Sequence, residues 1–117
     1  MSFERDPIDA LGDMRDHARE AIEFTKGKTL PEVQSDRMLS LALTRLLEIV
    51  GEAATRIPEE MRAKYPGIPW PQIVGLRNRL IHGYDSIDYE ILWEILHVDL
   101  PPLISQLEEI LTSLKSE

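Results

Sequence analysis

The chain reads as an all-α protein, an up-and-down bundle of about five helices, and three observations predict it. Apolar residues recur at three- and four-residue spacings, capping residues and prolines stand at the joints between those runs, and no strand-like alternation, internal repeat or low-complexity tract interrupts them. The length of 117 residues suits one domain, residues 1–117, with a core of its own and no second unit.

The first helix is announced by Asp6 as N-cap and Pro7 at the first helical position, carried by Ile8, Leu11, Met14, Ala18, Ala21 and Ile22, and stopped at Lys26-Gly27. After a turn at Thr29-Leu30-Pro31, a second helix runs from about Ser35 to Ile57, where Pro58 ends it. On a helical wheel its apolar residues Met38, Leu39, Ala42, Leu43, Leu46, Leu47, Ile49, Val50, Ala53 and Ala54 fill about half the circumference. One neighbour cannot cover an arc that broad, so the helix is either central in the bundle or also part of a subunit interface. Glu59 to Lys64 offers a further helical turn, and the rigid loop Pro66-Gly67-Ile68-Pro69-Trp70-Pro71 leads into a third long helix that Pro71 begins and Gly83 stops with a positive φ. Asp88 caps a fourth helix through His97, and Asp99 with Pro101 opens a fifth through Leu114. Trp70 and Trp93 read as core or interface aromatics, and Tyr65 and Tyr89 as structural.

Composition excludes several function classes. The hydrophobic content of 43% belongs to an ordinary globular protein, and the absence of cysteine removes disulfides, thiolate metal sites and a cysteine nucleophile. No apolar run approaches the roughly 20 residues of a membrane span, and the acidic start Ser2-Phe3-Glu4-Arg5-Asp6 is no signal peptide, so a cytoplasmic location is expected. His17 and His97 have no ligand-spaced neighbours, so no metal site and no cofactor are expected. The net charge of −8 argues against a nucleic-acid substrate, but the charge is uneven. From Arg56 to Tyr84 five cations stand against two anions, a local +3 that leaves −11 elsewhere.

The segment Gly75-Leu76-Arg77-Asn78-Arg79-Leu80-Ile81-His82-Gly83-Tyr84 lies in that basic island and gathers a guanidinium, an amide, an imidazole and a phenol within eight positions. These groups handle phosphate: arginine gives fixed donors, histidine moves a proton near neutral pH, and a tyrosine hydroxyl accepts modification. On the third helix, Arg77 falls between the apolar residues Ile73, Leu76 and Leu80 on one side and Val74 and Ile81 on the other. It is aimed inward and calls for a nearby carboxylate or phosphate, with Glu52 the best candidate and Glu48, one turn earlier, the alternative. Asn78 and His82, four apart, share a helix face, and His82 at the helix end sits where carbonyl dipoles favour a protonated ring. The plainer alternatives are a packing Arg–Glu pair, a simple histidine cap and a packing tyrosine.

The same segment resembles the Arg-x4-His motif of HEPN-domain ribonucleases, and Tyr84 completes the Arg-x4-His-x-Tyr form seen in HepT-like toxins. Glu48-Ile49-Val50-Gly51-Glu52-Ala53-Ala54, Ile68-Pro69-Trp70, Asp88 to Trp93 and Asp99-Leu100-Pro101 follow the order and rough spacing of that family, so the likeness spans roughly residues 8 to 112. The resemblance implies an HEPN-like homodimer whose two motifs face one cleft and cut RNA without metal, giving a 2′,3′-cyclic phosphate and a 5′-hydroxyl. In it Arg77 would bind the scissile phosphate, His82 and its symmetry mate would exchange protons, and Asn78 would position the ring. The resemblance further implies a toxin–antitoxin pair in which an MntA-type nucleotidyltransferase transfers AMP to Tyr84. A competing reading from another class is a non-catalytic subunit that holds nucleotide or substrate for such a partner through the same Arg77 and His82.

Overall fold

In a computed structural model that describes residues 6–84 and 86–116, Asp6 accepts a hydrogen bond from Ile8 N at 2.7 Å and Pro7 supplies a preset φ, so α1 runs Pro7–Thr25. It ends where the sequence predicts, with Gly27 at φ +76 turning the chain. The expected turn at Thr29-Leu30-Pro31 is instead the start of a short helix, α2 (Leu30–Ser35). Thr29 and Glu32 form a reciprocal capping box there, Thr29 N donating to Glu32 Oε1 at 3.0 Å and Glu32 N donating to Thr29 Oγ1 at 3.4 Å. The hydrogen bonds from Thr29 hold the Glu32 carboxyl below its ordinary value.

Asp36 closes α2 and caps α3 (Arg37–Thr55), accepting from Leu39 N at 3.0 Å. α3 is the central helix: it packs against α1, α2, α5 and α6, and buries Leu43, Leu46, Leu47, Val50, Ala53 and Ala54. Burial of each such leucine contributes about 1.5–3 kcal/mol, which outweighs any intrinsic helix preference along the run. One member of the broad apolar arc, Met38, stays outside, and Leu41, off the arc, is exposed as well. Ser40, fully buried, accepts from the Tyr89 hydroxyl at 2.9 Å and lies within hydrogen-bond distance of Val33 O and Asp36 O, fixing α3 to the start of the C-terminal helices.

α4 (Glu59–Ala63) follows Pro58, and the Pro-rich loop after it is tied down by Trp70, whose indole N–H points at Arg62 O and Tyr65 O, each at 3.2 Å. From here the observed chain departs from the sequence expectation. The long third helix is two short ones, α5 (Trp70–Val74) and α6 (Leu76–Leu80), joined at Gly75. α6 stops at Leu80, because Ile81 turns extended at φ −100, ψ 126. Ile81–His82 (β1) and Ser86–Ile87 (β2) then form a small antiparallel pair in the register Ile81↔Ile87 and His82↔Ser86. Gly83 does adopt the positive φ, +75, but it opens the hairpin loop rather than ending a helix.

Asp88 caps α7 (Tyr89–Glu94) by accepting from Ile91 N at 3.1 Å. The expected break at Asp99 is absent: α7 continues through a π-helical turn, Ile95–Asp99, into α8 (Leu100–Lys115). Pro101 and Pro102 lack N–H donors and crowd the preceding turn, and the wider turn, closed by Leu100 N to Ile95 O, gives them room without ending the helix. Asp99 therefore does not cap α8. α8 packs along α1, where Arg19 and Glu108 form an ion pair. No helix among the described residues is long and apolar enough to cross a membrane.

Candidate active site

The motif residues are carried by α6 and the hairpin that follows it, and α5 and α6 are held against α3 by the buried side chains Ile73, Leu76 and Leu80. Close approach needs Gly51: a Cβ there would lie 3.1 Å from both Ile73 O and Val74 O. The resulting cleft, about 200 Å³, is lined by Glu48, Gly51, Glu52, Thr55, Val74, Arg77 and Asn78.

Arg77 does not point into the core. Its side chain is 48% exposed, because the split at Gly75 turns it to the cleft rim. The need for a carboxylate is met by Glu48, whose Oε2 forms an ion pair with Arg77 at 2.9 Å from its Nε. Glu52, the first candidate from the helical wheel, is turned to Arg45 at 4.0 Å instead, and Arg45 also bonds Glu48 at 2.6 Å. Carboxylates from α3 thus enter the basic island that sequence order alone predicts. Arg79 is likewise paired, with Asp99 of the π-helical turn at 2.9 Å.

His82 lies on β1 rather than at a helix C-terminus, so neither the favourable carbonyl dipoles nor a shared helix face with Asn78 applies. Asn78 lines the cleft beside Arg77, and His82 and Tyr84 lie on the hairpin outside its lining. The imidazole instead has Asp88 Oδ2 at 3.5 Å from its Nε2. Asp88 appears in the sequence only as a helix cap. The usable signal for its second contact is the pair Ile81 and Ile87 flanking a glycine-containing loop, which reads as a short hairpin and folds Asp88 back beside His82. Tyr84 is fully exposed, and its hydroxyl is open to solvent. The remaining histidines bond their own helices, His17 Nδ1 to Asp13 O at 2.7 Å and His97 Nδ1 to Trp93 O at 2.9 Å. No group of three or more His, Asp or Glu side chains among the described residues is arranged to hold a metal ion.

A model of the family described as "Ribonuclease HepT-like" matches residues 14–110, a span that includes the cleft and the hairpin. The chain belongs to the HepT-like ribonuclease family. Similar proteins include "Putative RNase MJ1380" of Methanocaldococcus jannaschii, 42% identical over 89% of this chain and 95% of the relative. "Putative RNase MJ0127" of the same organism is 37% identical over 92% and 88% of the two chains. "Probable ribonuclease HepT" of Thermococcus cleftensis is 32% identical over 92% of this chain and 98% of its own. No solved structure gives a significant match.

Proposed function

We propose that the protein is a metal-independent endoribonuclease, the toxin of a HepT/MntA-type toxin–antitoxin pair in the cytoplasm, working as a homodimer with an HEPN-like bundle in each subunit. The observation that carries this reading is the family match across residues 14–110, within which Arg77, Asn78, His82 and Tyr84 fall. In the reaction a base takes the proton of a ribose 2′-OH, the oxygen attacks the adjacent phosphorus, and the P–O5′ bond breaks as an acid protonates the departing oxygen. The products are a 2′,3′-cyclic phosphate and a 5′-hydroxyl. One chain brings one motif histidine, so His82 of each of two subunits supplies one of the two proton transfers. Met38 and Leu41, the exposed apolar residues of α3, suit a subunit contact.

Arg77 is the phosphate ligand in this reading. Glu48 pairs with it on the Nε side, which leaves the Nη donors for phosphoryl oxygens. Asn78 stands beside it on the cleft wall and acts on the bound backbone. The exposure of Tyr84 supports control by a partner nucleotidyltransferase: its hydroxyl attacks the α-phosphorus of ATP, a Tyr–O–P bond forms, and pyrophosphate leaves. The added phosphodiester brings negative charge and bulk to the surface that must accept RNA.

The test is cleavage of RNA by the purified dimer in the presence of a chelator, with the ends identified chemically. Cyclic phosphate and 5′-hydroxyl ends support the reading, and no cleavage would overturn it. Incubation with the partner enzyme and ATP should add AMP to the wild-type chain and none to Tyr84→Phe, which should still cut RNA. AMP found on another residue would remove Tyr84 from the scheme.

A further inference from the structure

Asp88 makes three contacts at once. Its backbone N–H donates to Leu80 O at 2.9 Å, closing the hairpin onto the end of α6. Its Oδ1 accepts from Ile91 N at 3.1 Å and caps α7, and its Oδ2 lies 3.5 Å from His82 Nε2. With the backbone pinned and one oxygen committed to the cap, the second oxygen of this two-thirds-buried side chain is held beside a ring that is more than half exposed. Among the described residues, the other charged side chains of this segment are engaged or turned elsewhere. Arg77 is turned to Glu48 and Arg79 to Asp99, while Glu90 on α7 is exposed and Ser86, opposite His82 across the strands, is neutral.

We propose that Asp88 is the positioning residue for His82, holding the imidazole as the tautomer with Nε2–H directed at the carboxylate and leaving Nδ1 as the nitrogen that exchanges protons with substrate. This rests on the reading of His82 as the proton-transfer group of a ribonuclease. A helix cap needs a single oxygen, which asparagine or serine supplies equally well, so the cap and the positioning contact are separable by substitution.

Asp88→Asn is the decisive variant. Its amide oxygen keeps the cap, while its NH2 group faces Nε2 and demands an acceptor there, which reverses the tautomer. The ring 15N shifts of His82 in the neutral form should change from an Nε2-protonated to an Nδ1-protonated pattern. At the same time kcat for RNA cleavage should fall about ten- to a hundredfold, a part of what acid–base catalysis contributes, with KM within about twofold and the melting temperature unchanged. Asp88→Ser, which caps and is too short to reach the ring, should show the same loss of kcat. Unchanged 15N shifts, or changed shifts with unchanged kcat, would each overturn the proposal and return Asp88 to a cap alone. Failure of the reading beneath it looks different: the wild-type chain would then cut no RNA, or His82→Ala would cut it as well as wild type.

Discussion

The core helices α1, α3 and α8 and the motif-bearing segment from Trp70 to Asp88 are held by different forces. Along the three long helices, Leu11, Met14, Leu43, Leu47, Leu103 and Leu107 are fully or almost fully buried at helical spacing, and conformation follows from burial. Among the described residues of the motif segment no helix exceeds five residues, and its course is set by a glycine joint, a hairpin and ion pairs to distant residues. Only Ile73, Leu76 and Leu80 among the residues of α5 and α6 beyond Trp70 are buried, and they serve as anchors. The side chains proposed to carry the chemistry, Arg77, Asn78, His82 and Tyr84, all stand outside the core. A rigid scaffold thus carries a polar segment whose side chains are replaceable without unfolding it, and the two regions should respond oppositely to substitution.

The sharpest test of that division lies at its seam. Gly51→Ala places a methyl group 3.1 Å from the carbonyl oxygens of Ile73 and Val74, so α3 and α5 must move apart by a few tenths of an ångström. Overpacking of this kind should lower stability by about 1–3 kcal/mol in denaturant unfolding. A variant as stable as wild type would mean the seam is loose. Arg77→Ala should instead stay within about 1 kcal/mol of wild type, since the half-exposed Arg77–Glu48 pair is solvent-screened, while losing RNA cleavage. An inward arginine, as the helical wheel suggests, would give a larger loss, so the same unfolding curve separates the two placements. The smallest effect concerns Glu32, whose carboxyl is held low by Thr29. A lowered folded value means stability that is present above the ordinary 4.5 and disappears as the pH falls through the folded value. The gap in melting temperature between wild type and Glu32→Gln should therefore be visible near neutrality and close in acid, and a gap that widens in acid would contradict the assignment.

What the sequence reveals divides along the same line. Asp6-Pro7, Lys26-Gly27 and Pro58 mark the limits of α1 and α3 because caps and prolines act within a few residues of themselves, and Asp88 caps α7 for the same reason. The end of α6 at Leu80 is not local: it depends on Ile81 and Ile87 pairing and on Asp88 N reaching Leu80 O. Asp99 reads as a cap beside two prolines, yet Arg79, twenty residues back, takes its carboxylate while a π-helical turn absorbs the prolines. A wheel also cannot separate Glu48 from Glu52 as partner of Arg77, because both border the apolar arc one turn apart and only the angle at which α6 crosses α3 decides.

The central claim is that the exposed segment does proton-transfer chemistry on RNA while the helices beneath only hold it. The most direct measurement is the initial rate of RNA cleavage by His82→Ala against wild type, in chelator and at equal protein concentration, with thermal unfolding recorded on the same samples. The account predicts a rate lower by about 10²–10⁴-fold with an unchanged melting temperature. Cleavage at the wild-type rate by a folded His82→Ala chain would contradict it.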